Sequence, residues 1–163
     1  NHKQPIYESN FYKSMEDIEV VLRFFALRHM QSFRYGIQGF LDLYMIRSTA
    51  FDDEDIEFLA TLFKRTLKCA SDIYGPTVFR TYEDGSWSKK PVKGMYDAIM
   101  VPLSEFVDEH VNLVSKKTQI VEQTKQLFIE NGVATVTGRA STRSDLQNRI
   151  ELFRSLFRAQ LAQ

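Results

Sequence analysis

Arg23 and His29 come nearest to a catalytic pair in both type and spacing. They bound the run Arg23-Phe-Phe-Ala-Leu-Arg-His29, a cation and an imidazole about two helical turns apart. Beside a scissile phosphate such a pair would supply a base and a positive charge. The other chemistry-bearing groups are weaker. Asp52-Asp53-Glu54-Asp55 concentrates acid, but a calcium loop opening at Asp53 needs Gly at its sixth position and Glu at its twelfth. Those positions hold Phe58 and Lys64, so the run reads as a solvated helix start. Gly132 to Ser141 imitates a phosphate loop, yet its glycines stand one residue too far apart. Arg139 and Ala140 also occupy the places of the Lys and Ser/Thr that grip phosphate and magnesium.

His2, His29 and His110 are too scattered for a zinc site. His110, beside Glu105 and Glu109, reads as part of an exposed face. Cys69 falls on the polar side of its helical pattern, with no neighbouring His or basic cluster to activate it. No catalytic or metal-ligating set is therefore assigned. Arg139, Arg143, Arg149, Arg154 and Arg158 gather near the C-terminus, opposed only by Asp145 and Glu151. Arg139, Arg143, Arg154 and Arg158 are the candidates to face DNA phosphates, weighed against an ordinary solvated helix face.

Positioning these residues requires helices. Asp17 to Met45 is apolar on more than one side: Ile18, Val21, Leu22, Phe25 and His29 share one face, and Val20, Phe24, Leu27 and Met30 another. It reads as the central element, a first helix capped by Ser14 and running to about Phe33, then a Gly36/Gly39 turn and a short helix carrying Phe40, Leu41, Tyr44 and Met45. A third helix starts at Asp52 or Asp53, carries the stripe Ile56, Leu59, Ala60, Phe63, Leu67, Ala70 and Tyr74, and stops at Gly75-Pro76.

Residues 77–91 form a loop with Asp84-Gly85 as a turn. A fourth helix from Val92 turns Tyr96, Ile99, Met100, Leu103, Phe106, Val107 and Val111 inward, and Pro102 should kink or split it. Ser115 caps a fifth helix, closed by Gly132. Val133 to Ser141 is irregular, with a short strand over 133–137. Ser141 or Thr142 caps a last helix burying Leu146, Ile150, Phe153, Phe157 and Leu161. The expectation is an all-α, single compact domain of five to six helices over 14–163, with one irregular or short β segment near 133–141. Residues 1–13 read as an extended lead-in from a preceding domain.

The 163 residues, 44% apolar and 13% aromatic, suffice for a core. Twenty-one basic residues balance 21 acidic ones, which removes any global field toward nucleic acid or anionic membrane. A single cysteine excludes an internal disulfide and fits a reducing cytoplasm. No apolar run reaches the roughly 20 residues of a membrane span.

Two resemblances add to this reading. Arg23 to His29 resembles the Arg, four to six residues, His signature of the HEPN helical ribonucleases, without the polar residue that often follows their arginine. Far more of the chain is similar to one bacterial family. The blocks VLRFFALRHM, FLDLYM, IYGPTVFR, MYDAIMVPLS and TGRAS with NRIELFR occur in order from Glu19 to Leu156. They look like the helical region of the domain of unknown function numbered two hundred and sixty-two, known from GmrSD-type modification-dependent restriction enzymes. That family's usual layout places a ParB/sulfiredoxin-like domain with a DGQQR motif before the helical region, and many members continue into an HNH nuclease.

Neither DGQQR nor an HNH motif occurs here. The resemblance thus implies a non-catalytic module of a cytoplasmic restriction or phage-defence protein, needing no cofactor of its own. A nucleoside triphosphate and a divalent metal would belong to the full-length protein, and the missing N-terminal domain, an HNH domain and DNA would be its partners. Arg23, Arg28 and Arg80 lie within the matching blocks. Buried in such company, each must pair with a carboxylate or a ligand, so structural pairing is set against reaching a neighbouring domain's nucleotide or DNA site. The alternatives are a ribonuclease using Arg23 and His29, or a protein-interaction domain.

Overall fold

The structure, a computed structural model, describes residues 16–162. The lead-in over 1–13 and the Ser14 cap lie outside the described residues. The fold is all-α: 76% of the described residues are helical, and they include one two-stranded hairpin. Eight α-helices are described: α1 (Glu16–Leu27), α2 (Gly36–Ser48), α3 (Asp53–Tyr74), α4 (Lys93–Leu103), α5 (His110–Ser115), α6 (Lys117–Asn131), α7 (Val133–Thr137) and α8 (Arg143–Leu161). None of the described helices is long and apolar enough to cross a membrane.

The element at the centre is α4, not the stretch from Asp17 to Met45. Every residue from Met95 to Leu103 is buried, because α1, α3, α7 and α8 all pack on α4. Helix α1 is covered chiefly along Phe24, Ala26 and Leu27, while Ile18 and Val21 are exposed. Pro102, which cannot donate a backbone bond, sits one residue before the end of α4. The chain then turns through 104–106 and a short 3-10 turn, Val107–Glu109, before α5. The single fourth helix of the sequence pattern is thus split, which accounts for part of the excess over five or six helices.

Two further differences have local causes. Ser115 ends α5 by donating to the Asn112 carbonyl (2.7 Å), so Lys116 rather than Ser115 precedes α6. Residues 133–137 are one helical turn instead of a strand. Gly132 and Gly138, at φ +76° and +75°, bracket it, and the Thr137 hydroxyl returns to the Val133 carbonyl at 2.8 Å. The β-branched residues there pack on α6 and α8, with no strand beside them.

The strands lie instead at β1 (Tyr82–Glu83) and β2 (Ser86–Trp87), paired antiparallel around Asp84-Gly85. Both turn residues have positive φ, as a tight two-residue hairpin requires. Helix α3 begins with the expected cap: Asp52 accepts from the Asp55 amide at 2.9 Å, and Asp55 reciprocates. At α8, Thr142 accepts from the Asp145 amide at 3.1 Å.

The main core gathers Phe24, Leu62, Cys69, Ile73, Ile99, Leu103, Phe153 and Phe157. A second cluster joins Leu27, Phe33, Phe40 and Leu41 to Val101, Leu146 and Ile150. On α3 the buried stripe is Leu62, Thr66, Cys69, Ala70, Ile73 and Tyr74, rotated from the one read in the sequence, and Ile56 is 55% exposed. Cys69 is therefore a core residue, contrary to its polar-side assignment. Burial, reinforced by Asp72, pushes its thiol up to about 12, so it is a small core apolar group rather than a nucleophile. We expect iodoacetamide to label Cys69 only as fast as the native state opens. Labelling at the rate of a free thiol would show that the α3–α4 contact is misplaced.

Candidate functional site

One group of charges is sealed inside the molecule. Asp97, within the buried run Met95–Leu103 of α4, is 0% exposed, and its carboxylate receives guanidiniums from the first and last described helices. Arg23 of α1 donates from Nε to Oδ1 at 3.0 Å and from Nη2 to Oδ2, a two-pronged contact. Arg149 of α8 adds a longer bond from Nη1 to Oδ2 at 3.4 Å. Its remaining donors go to backbone, Nη2 to the Ala140 carbonyl at 2.7 Å and Nε to the Asp145 carbonyl at 3.3 Å. Two cations on one carboxylate leave an excess positive charge. Glu19, 3.7 Å from Arg23, offsets part of it and is shared with the Lys93 amine at 3.3 Å.

Two glycines make room for Arg149. A Cβ on Gly94 would lie 2.9 Å from the Thr137 carbonyl oxygen and 3.1 Å from Nη1 of Arg149. On Gly138 it would lie 2.6 Å from Nη2, at a φ that L side chains already resist. Burial pushes the Asp97 carboxyl up, against the pull of Arg23, Arg149 and Lys93. Geometry fixes the charge state: a guanidinium has no acceptor, so both carboxylate oxygens facing one must accept. Beside this centre the Tyr96 hydroxyl is buried without a hydrogen-bond partner, and burial, then Asp97, pushes its pKa up. With Asp97, Arg23 and Arg149 at 0%, 2% and 3% exposure, no substrate reaches the centre. Its role is to lock α1, α4 and α8 together.

The sequence-derived candidates scatter. Arg23 is a structural ion-pair partner. His29 is exposed beyond the end of α1 and stacks on Tyr44, with ring centroids 6.0 Å apart. Partial burial and the charges of Arg28 and Arg47 lower its pKa. No bond joins it to Arg23, so the structure does not assemble the ribonuclease-like pair. Arg28 is half-buried over the Phe24 ring at 5.9 Å, and burial lowers its pKa. Arg80 is half-buried, and its Nε is sealed from solvent without an acceptor.

Nor do the C-terminal arginines form one stripe. Arg149 is internal. Arg154 grips Glu105 through Nε (2.9 Å) and Nη2 (2.7 Å) and also pairs with Glu151. Its hydrogen bond to Glu105 is the main reason its pKa is raised. Arg139, Arg143 and Arg158 alone remain exposed.

One pairing was not anticipated. His110 meets Asp72, not its local glutamates, at 2.8 Å, and Lys68 reaches the same Asp72 oxygen at 2.7 Å. Asp72 also borders an open cleft of about 320 Å³ with Lys117, Thr118 and Lys125. The only local signal was the i, i+4 spacing of Lys68 and Asp72. Among the described residues no three His, Cys, Asp or Glu side chains could hold a metal ion. No family model, curated protein or solved structure matches the chain.

Two predictions follow from these charges. Asp97→Ala leaves two buried guanidiniums uncompensated and should cost about 3–5 kcal/mol in urea unfolding, whereas Arg154→Ala should cost about 1 kcal/mol or less. Equal losses would mean that Asp97 is not the internal anchor. For Asp72, burial opposes ionisation, but Lys68 and His110 outweigh it and lower the pKa. The pair's stabilisation is therefore present above the ordinary carboxylate pKa and lost as pH falls through the lowered folded value. Asp72→Asn should flatten stability against pH in this acid range, by at most about 1 kcal/mol for so exposed a pair. An unchanged acid slope would contradict the assignment.

Proposed function

We infer that this chain is a non-catalytic helical module of a cytoplasmic restriction or phage-defence protein of the GmrSD type, in which other domains cleave foreign or modified DNA in a nucleotide-dependent reaction. One observation carries the reading. Arg23, Asp97 and Arg149 come from three of the blocks that resemble the family, and they meet in one buried centre. What those blocks share is thus a packing requirement of a helical scaffold, not a reaction site. Nucleoside triphosphate and divalent metal belong, in this reading, to the neighbouring ParB/sulfiredoxin-like and HNH domains. DNA contact falls to Arg139, Arg143 and Arg158, since Arg154 is engaged with Glu105 and Glu151.

A second reading, a protein-interaction domain, is favoured by exposed Met45 and Ile46 on α2 and by Ile56 and Phe58 at the start of α3. The ribonuclease alternative loses ground because Arg23 is buried against Asp97 while His29 is at the surface.

The purified chain is expected to turn over neither ATP nor GTP and to cut neither modified nor unmodified duplex. The reading frame upstream of Asn1 is expected to encode a DGQQR-bearing domain. Turnover abolished by a point substitution within the chain would defeat the non-catalytic reading. An in-frame stop immediately upstream would defeat the restriction-protein reading while leaving the interaction reading standing.

A further inference from the structure

We propose that Arg80 is the anchoring group of a phosphate-binding site on the ribbon that leads into α4. The inference rests on the geometry of residues 79–92 and does not depend on the restriction reading. Beyond β1 and β2 the two arms of the hairpin stay joined. The Ser88 amide donates to the Thr81 carbonyl at 2.8 Å, and the Val92 amide donates to the Phe79 carbonyl at 2.7 Å. Between these two bonds a single residue, Arg80, stands opposite three, Lys89, Lys90 and Pro91. The ribbon is therefore bulged, and the bulge is held by the Ser88 hydroxyl, which accepts from the Thr81 amide and donates to the Lys90 carbonyl at 2.8 Å. Phe79 enters the bulge at φ +60°, a conformation that costs an aromatic residue energy and that the surrounding bonds enforce.

The ribbon thus gathers three cations, Arg80, Lys89 and Lys90, and none of them forms an ion pair with another described residue. The two acids of the hairpin tip, Glu83 and Asp84, form no ion pair with them either. Arg80 differs from every other half-buried or buried arginine. Arg23, Arg149 and Arg154 spend their donors on carboxylates or carbonyls, and Arg28 lies over a ring. The Arg80 Nε is closed off from solvent and donates to nothing. A buried donor without an acceptor is destabilising, and more so on a charged group. The two Nη groups are not sealed in this way and donate to no described residue, so the outer edge of the planar guanidinium offers the two-pronged geometry that an oxyanion accepts, and two adjacent lysines favour phosphate over a singly charged group.

The test is a titration of the ¹⁵N-labelled chain with inorganic phosphate, and separately with a short single-stranded oligonucleotide, against chloride at matched ionic strength. The readout is the Arg80 Nε–H resonance. It is expected to shift saturably with phosphate, and binding should weaken roughly tenfold or more in Arg80→Met. Arg80→Lys, which keeps the charge without the fork, should weaken it less, and Lys89→Ala should weaken it about two- to threefold. Saturation by phosphate alone identifies a free-phosphate site, and tighter saturation by the oligonucleotide identifies a phosphodiester site. An Nε–H resonance indifferent to both probes in the wild-type chain overturns the proposal, whether or not the variants fold. Binding unchanged in a folded Arg80→Met chain also overturns it and moves the anion to the lysines.

Discussion

A carboxylate with no exposed surface must have its charge answered from within the molecule. Asp97 sits at the middle of α4, a helix buried at every position from Met95 to Leu103, and the answering guanidiniums arrive from α1 and α8. Removing an ion from water costs several kcal/mol, and its partners return little more than that. The centre is therefore a poor source of net stability and a strong constraint on arrangement. Any packing that slides α1 or α8 along α4 by one turn separates a buried charge from its partner. The apolar core of Phe24, Ile99, Leu103, Phe153 and Phe157 could tolerate many such slips, because apolar contacts are not directional. The ion centre does not.

The constraint reaches beyond the three charges. Arg149 also binds the Ala140 carbonyl, so the segment between α7 and α8 is tied to the same point. Gly94 and Gly138 keep the volume around its guanidinium free, and Thr137, packed against Gly94, is satisfied through its own helical turn. The consequence for function is one of accounting by charge. Arginines that in sequence look available to an external phosphate are, in the fold, committed to internal partners. The surface of α8 is left with Arg143 and Arg158 near its opposite ends, about 22 Å apart for a helix rising 1.5 Å per residue. Such a spacing makes two isolated charges rather than a field.

Helix ends were the most legible part of the fold, because capping is local chemistry. Asp52 with Asp55, Thr142 with Asp145, and Gly75 and Gly132 as stops all follow from residues within one turn of each other. The phase of the α3 stripe was not legible. Its first two turns project past the core, so Ile56 and Phe58 remain exposed even though Ile56 keeps helical register. Farther along, Thr66 and Cys69 face inward because α4 and α6 pack on that side, and Thr66 tolerates it by donating to the Leu62 carbonyl at 2.8 Å. A hydroxyl and a thiol count as polar in a periodicity reading, although both can be satisfied or indifferent in a core. The turn at 133–137 failed similarly: Val and Thr favour strands only where another strand is at hand.

The site itself was half legible, and the reason is tertiary. Arg23, Arg28 and Arg80 occupy comparable apolar surroundings in sequence, and of the three only Arg28 has its fate set by a residue one turn away. Arg23 is decided by an acid 74 residues away, Arg28 by the ring of Phe24 one turn back, and Arg80 by the lack of any acceptor for its buried Nε. Local pattern therefore says that an arginine in such company needs a partner, while only the fold says whether the molecule supplies one. Where it does, the residue has become structure. Arg80, held in a strained ribbon with its Nε closed off and unmatched, is the arginine for which the described residues supply neither a carboxylate nor a ring.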